Sequence, residues 1–152
     1  MFDHNSEKIK PMKRIGFLIA FFVFAGANAQ EVTDYDLNNF AKAYVQMIKL
    51  NTKAQNEMAK LIEKEGLDLD VYHAIDESKD SEFEPDVPEE DFGKYDKLQP
   101  KIKKIQNELE EDVEKVFAKN ELTKQKYRAI SERVKQDYLL QAKLQKILEN
   151  IR

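Results

Sequence analysis

The sequence predicts an all-α fold: an antiparallel helical bundle of two helix–corner–helix units that form an internal repeat. Three observations predict it. Residues 32–75 align with 87–130 without a gap at an offset of 55 positions, and ten of the 44 pairs are identical. Apolar residues in both copies recur at alternating steps of three and four, the signature of one helix face. The stretch GLDLDVYHAI at 66–75 returns as ELTKQKYRAI at 121–130 with helix-start residues at matching places. Five of the identities are Lys or Asp pairs in a lysine-rich chain, so the apolar pattern carries more weight than the identities.

The first element is read as a segment that does not belong to the fold. Lys8, Lys10, Lys13 and Arg14 precede an apolar run of 13 residues, Ile15 to Ala27, which closes on Ala27-Asn28-Ala29. Basic, then apolar, then A-x-A is the pattern of a secretory signal. A spanning helix needs about 20 apolar residues, so residues 1–29 are expected to be cleaved. No integral membrane span is then expected in what remains. Met12-Lys13-Arg14 makes a compact start of its own, so Met12 competes with Met1 as initiator. Residues 30–152 are expected to form a single helical domain, in the periplasm or secreted.

A long helix opens each unit. In the first, Leu37, Phe40, Tyr44, Met47, Asn51, Ala54, Met58 and Leu61 form one stripe. In the second, Phe92, Tyr95, Gln99, Ile102, Gln106, Leu109, Val113 and Val116 take the matching places. Thr33 with Asp36 has the make-up of a capping pair, and Pro88 suits a first helical position. Pro100 inside the second stripe is expected to bend or break the helix near Gln99.

The repeated phrase reads as a corner. Asp68 and Thr123 are equivalent N-cap candidates. Leu67 and Leu122 precede them, while Tyr72 and Tyr127 stand four positions after. An apolar residue before the cap packing on one at the fourth position is a hydrophobic staple, which sets the angle of chain entry. Gly66 supplies the left-handed residue that ends many helices. The helix after the first corner is expected to end near Ser78, followed by an acidic linker, 79–86. The units therefore cover about 32–78 and 87–152. The helix after the second corner is expected to continue to the end through Tyr127, Ile130, Val134, Tyr138, Leu144, Ile147, Leu148 and Ile151.

The opening VTDYDLNNFAKAY, followed by GLDLDVYHAI and later by ELTKQKYRAISERVKQDYLLQAKL, resembles the secreted bacterial domain-of-unknown-function family DUF 4168. That pattern joins an acidic S/T-D-x-x-L-x-x-F-A start to a later G-L-T-x-x-x-[FY]-x-x-I. Glu121 stands where the pattern has glycine in the second copy. The resemblance implies an all-helical exported protein and assigns no activity.

Charge and composition then exclude whole classes. The chain carries −4. Removing 1–29, with four basic and two acidic residues, leaves −4 − 2 = −6. An acidic chain without a strongly basic segment is a poor match for nucleic acid. Lys101, Lys103 and Lys104 face a similarly dense acidic run and read as a solvated face. There is no cysteine, so neither a disulfide framework nor a thiol nucleophile is available. His73 is the one histidine beyond residue 29, there is no glycine-rich phosphate loop, and no zinc spacing is present. The carboxylates of the acidic linker suit a hard cation, but a calcium loop usually needs a fixed turn and regular ligand spacing, so the linker is read as solvated. No cofactor is expected, and the chain is read as not an enzyme.

Asn51 and Gln106 interrupt the two stripes at the same point. Two readings are open: a wet stretch of helix, or a buried polar layer that fixes register as in coiled coils. The leading functional expectation is a non-enzymatic exported protein binding a peptide or protein in the cell envelope through an apolar groove. A second copy of the chain is an admissible partner. The alternative is a periplasmic chaperone or envelope-stress protein. The helical-hairpin chaperones carry L-T-x-x-Q, whereas Leu122-Thr123 here meets Gln125 one residue early.

Overall fold

The computed structural model describes residues 31–79 and 85–151. The signal-like segment 1–29 and linker residues 80–84 lie outside the described residues. Five helices run in order: α1 (Asp34–Lys64), α2 (Leu69–Ser78), α3 (Glu89–Lys119), α4 (Lys124–Gln136) and α5 (Tyr138–Ile151). No strand is present among the described residues.

Local chemistry starts and stops these helices. At α1 the Asp36 backbone N–H donates to Thr33 Oγ1 at 3.1 Å and Thr33 N–H donates to Asp36 Oδ2 at 3.3 Å, a reciprocal capping box. At α2 the Asp68 carboxylate accepts from Asp70 N–H at 2.8 Å, and at α4 Thr123 Oγ1 accepts from Lys126 N–H at 3.0 Å. Both satisfy first-turn N–H groups that have no partner inside the helix. Pro88 sits at the N-cap of α3, one place before the expected first helical position, and accepts from Asp91 N–H through its carbonyl.

The ends of α1 and α3 have one construction. Gly66 N–H donates to Glu63 O and Leu67 N–H to Ile62 O; Glu121 N–H donates to Ala118 O and Leu122 N–H to Phe117 O. These are two Schellman turns, in which a left-handed residue lets the chain cap its own last carbonyls. Gly66 has φ +74°, and Glu121 takes the same conformation at φ +54° despite its side chain.

Two expectations are corrected. α3 does not break at Pro100, which lies inside a continuous helix. Proline removes the hydrogen bond to Asp96 O, but Leu98 and Ile102 on either side are buried in the core centre that holds Met58 and Ile62 of α1, which keeps the helix continuous. The C-terminal helix, in contrast, is not continuous. Asp137 leaves the helical conformation (φ −125°, ψ 109°), and its carboxylate accepts from Leu139 and Leu140 N–H at 2.9 and 3.2 Å. It is thereby the N-cap of α5. Gln141 closes the junction by donating to the carbonyls of Val134 and Lys135. The reorientation lets Leu140, Leu144 and Ile147 reach the core that α4 already covers.

The core has two centres. One joins Leu37, Phe40 and Ala43 of α1 to Val116, Phe117, Leu122, Tyr127 and Ile130. The other joins Met58 and Ile62 of α1 to Leu67, Tyr72, Ile75, Tyr95, Leu98 and Ile102. The start of α1 thus meets the end of α3 and the reverse, so the two long helices run antiparallel. Leu37, Ile62, Ile75 and Leu98 are fully enclosed; each such side chain contributes about 1.5–3 kcal/mol of burial. α2 covers only the second centre, while α4 and α5 cover the first.

Candidate functional site: a groove between the two core centres

That division leaves the middle of the α1–α3 pair without a third helix, and a groove of about 580 Å³ opens there. Apolar side chains form part of its floor: Met47 of α1, Leu109, Val113 and Phe117 of α3, and Tyr127 of α4. Amides interrupt them, Asn51 from α1 with Gln99, Gln106 and Asn107 from α3. Lys103, Lys124 and Arg128 stand around the groove with Glu110 as the acid among its lining residues, and the ring of Pro100 completes one wall.

Several predicted positions meet here, and others do not. Asn51 and Gln106 face the same groove but are half-exposed. Of the two open readings, their partial exposure favours the wet stretch of helix over a fully buried polar layer. Tyr127 serves both corner and groove. It is 5 % exposed, stacked on Phe40 at 4.6 Å and tilted against Phe117 at 5.3 Å, and burial pushes its hydroxyl pKa upward. The other corner residues, Leu67, Tyr72 and Leu122, are buried in the two core centres away from the open part of the groove. Tyr72 reaches toward it through its hydroxyl, which accepts from Gln99 Nε2 at 3.5 Å. Thr33, Asp68 and Thr123 stand at helix starts and take no part.

The lysine cluster divides. Lys101 pairs with Glu65 at 3.5 Å and Lys104 with Glu108 at 3.7 Å, whereas Lys103 points to the groove. Lys124 and Arg128 had no signal of their own in the sequence, because their relation to α3 arises only when the second corner folds α4 back. His73 lies edge-on to Tyr72 at 5.8 Å, outside the groove. Asp76 accepts from the Tyr95 hydroxyl at 2.6 Å, and burial together with that carboxylate raises the tyrosine pKa.

Among the described residues no cluster of three or more His, Cys, Asp or Glu side chains is arranged to hold a metal ion. No helix among them is long and apolar enough to cross a membrane. No curated protein and no solved structure matches the chain. One family profile does, over residues 33–144, from the Thr33 cap of α1 to Leu144 in the middle of α5. The chain belongs to the family described as a domain of unknown function, DUF4168.

Proposed function

We propose that this chain is an exported, non-enzymatic helical protein that binds a peptide segment of a partner in the cell envelope through the α1–α3–α4 groove. The observation that carries the reading is the groove: an apolar floor with convergent amides and cations, in the size range of ligand sites. Two related units are the economical account of the scaffold. α1 and α3 both span 31 residues, and the starts of α1 and α3, their ends, and the starts of α2 and α4 are each 55 apart (89 − 34, 119 − 64, 124 − 69). Export is supported by the basic–apolar–AxA pattern; intact-mass measurement of the envelope protein is expected to show a chain beginning near Gln30. The binding test uses a photo-crosslinking residue at Asn107, in the groove, and at Asn56, on another face of the long-helix pair. Partner adducts confined to the Asn107 variant support the reading, and equal adducts at both sites overturn it.

A chaperone or envelope-stress role is the second reading. Tyr138 and Leu139 at the α4–α5 junction are 87 % and 76 % exposed, and such apolar surface contacts unfolded clients. Suppression of client aggregation by the protein, lost in Tyr138→Ser with Leu139→Ser, would favour it over the groove.

A further inference from the structure

We propose that the groove selects an acidic peptide carrying apolar side chains, bound in an extended conformation along α3. The inference rests on the reading of the groove as a peptide site and adds the chemistry of the ligand. Length is the first argument. The groove follows α3 from Gln99 to Phe117, 117 − 99 = 18 residues, or about 27 Å at 1.5 Å per residue. An extended chain covers that length with about eight residues at 3.3 Å each.

Charge is the second. Lys103 and Lys124 face the groove, where Glu110 is the acid among the lining residues, on a chain whose formal charge is −4. Lys103 and Lys124 make no ion pair among the described residues, while neighbouring Lys101 and Lys104 are engaged with Glu65 and Glu108. A positive groove on a negative protein attracts an acidic segment and repels basic ones.

The third argument separates a peptide from an acidic amphiphile. Asn51 and Gln106 make no hydrogen bond to the described residues, and they interrupt the floor between Met47 and Val113. Each amide offers a donor and an acceptor, the complement of a peptide group. An acyl chain laid over the same amides would strip them of water and return no hydrogen bond, which is unfavourable. Leu109, Val113 and Phe117 then receive the apolar side chains of the bound segment.

The test is fluorescence polarisation of the full chain with three short labelled peptides, alternating Leu with Glu, with Gln or with Lys, and a long-chain fatty acid as competitor. The Glu peptide is expected to bind at least about tenfold tighter than the Gln peptide, a difference of about 1.4 kcal/mol, and to weaken with added salt. Lys103→Glu with Lys124→Glu is expected to remove that preference while the melting curve stays unchanged, both lysines being exposed. Equal affinity for the Glu and Gln peptides overturns the acidic preference and leaves the peptide-site reading standing. Preferential binding of the fatty acid, with peptide displaced, overturns the peptide as occupant. Failure of all three peptides to bind overturns both.

Discussion

The ring of Phe40 stacks on the ring of Tyr127 with centroids 4.6 Å apart, and Tyr95 meets Tyr72 at 5.1 Å in a tilted pair. Positions 40 and 95 are 55 apart, as are 72 and 127, so each corner tyrosine leans on the start of the other long helix. Antiparallel packing of α1 and α3 brings this about, because the end of each lies beside the beginning of its partner. Both corner tyrosines are buried, at 8 % and 5 % exposure. Truncating either to Ala is expected to cost about 3–5 kcal/mol, as for other buried aromatic residues. A double-mutant cycle on Phe40 and Tyr127 should show a coupling of about 0.5–1.5 kcal/mol, the worth of an aromatic pair beyond its buried area. Unchanged melting temperatures for Tyr72→Ala and Tyr127→Ala would rule out the corner as a stabilising element.

Glu121→Gly should stabilise the protein. A residue with a side chain in the left-handed conformation costs about 1–2 kcal/mol, and the added freedom of glycine in the unfolded chain takes back about 0.4–1 kcal/mol. The exposed bond from the Tyr35 hydroxyl to Glu121 at 2.9 Å is lost as well. A net gain of about 0.5 kcal/mol is expected in urea denaturation. The reverse change, Gly66→Ala, meets nothing within 4 Å of the added carbon, so its loss of about 1 kcal/mol would come from the backbone alone.

Asp36 predicts a pH dependence. Lys126 Nζ lies 2.6 Å from its carboxylate, and that bond, with help from Thr33, holds the carboxyl below its ordinary value of 3.8. A depressed folded-state pKa means stability that is present above the unfolded value and is lost as pH falls through the folded one. Asp36→Asn should therefore lower stability by about 1 kcal/mol at neutral pH and flatten the acid limb of the stability curve. Denaturation midpoints measured from pH 7 down through the carboxylate range check both parts. An acid limb of unchanged slope in Asp36→Asn would show that the ion pair is not formed in solution.

Asn51 and Gln106 are predicted to be independent in stability. Neither is buried, so replacing either with Leu should change stability by no more than about 0.5 kcal/mol, and the double variant should be additive. Thermal melts of the two single variants and the double decide this. A coupling well beyond that range would return the pair to a shared desolvated layer.

Most helix starts and the first corner were legible in the sequence, because those instructions are local. Thr33 with Asp36, Asp68 and Thr123 satisfy N–H groups two or three residues away, and Gly66 turns the chain with its own φ. Even the break at Asp137 left a trace, since the apolar spacing jumps from Tyr138 to Leu144 with an Asp just before. The trace was ambiguous: Leu139 and Leu140 extend the pattern equally well until the core chooses between them. Tertiary structure alone decided three things. It kept α3 whole through Pro100, because burial of Leu98 and Ile102 outweighs one missing hydrogen bond. It gave Leu140 to the core and left Leu139 to solvent. It also set Lys124 and Arg128 beside Lys103, residues more than 20 positions apart in the chain. Charges at that separation have no local signature, and only the turn at Glu121 brings them to one groove.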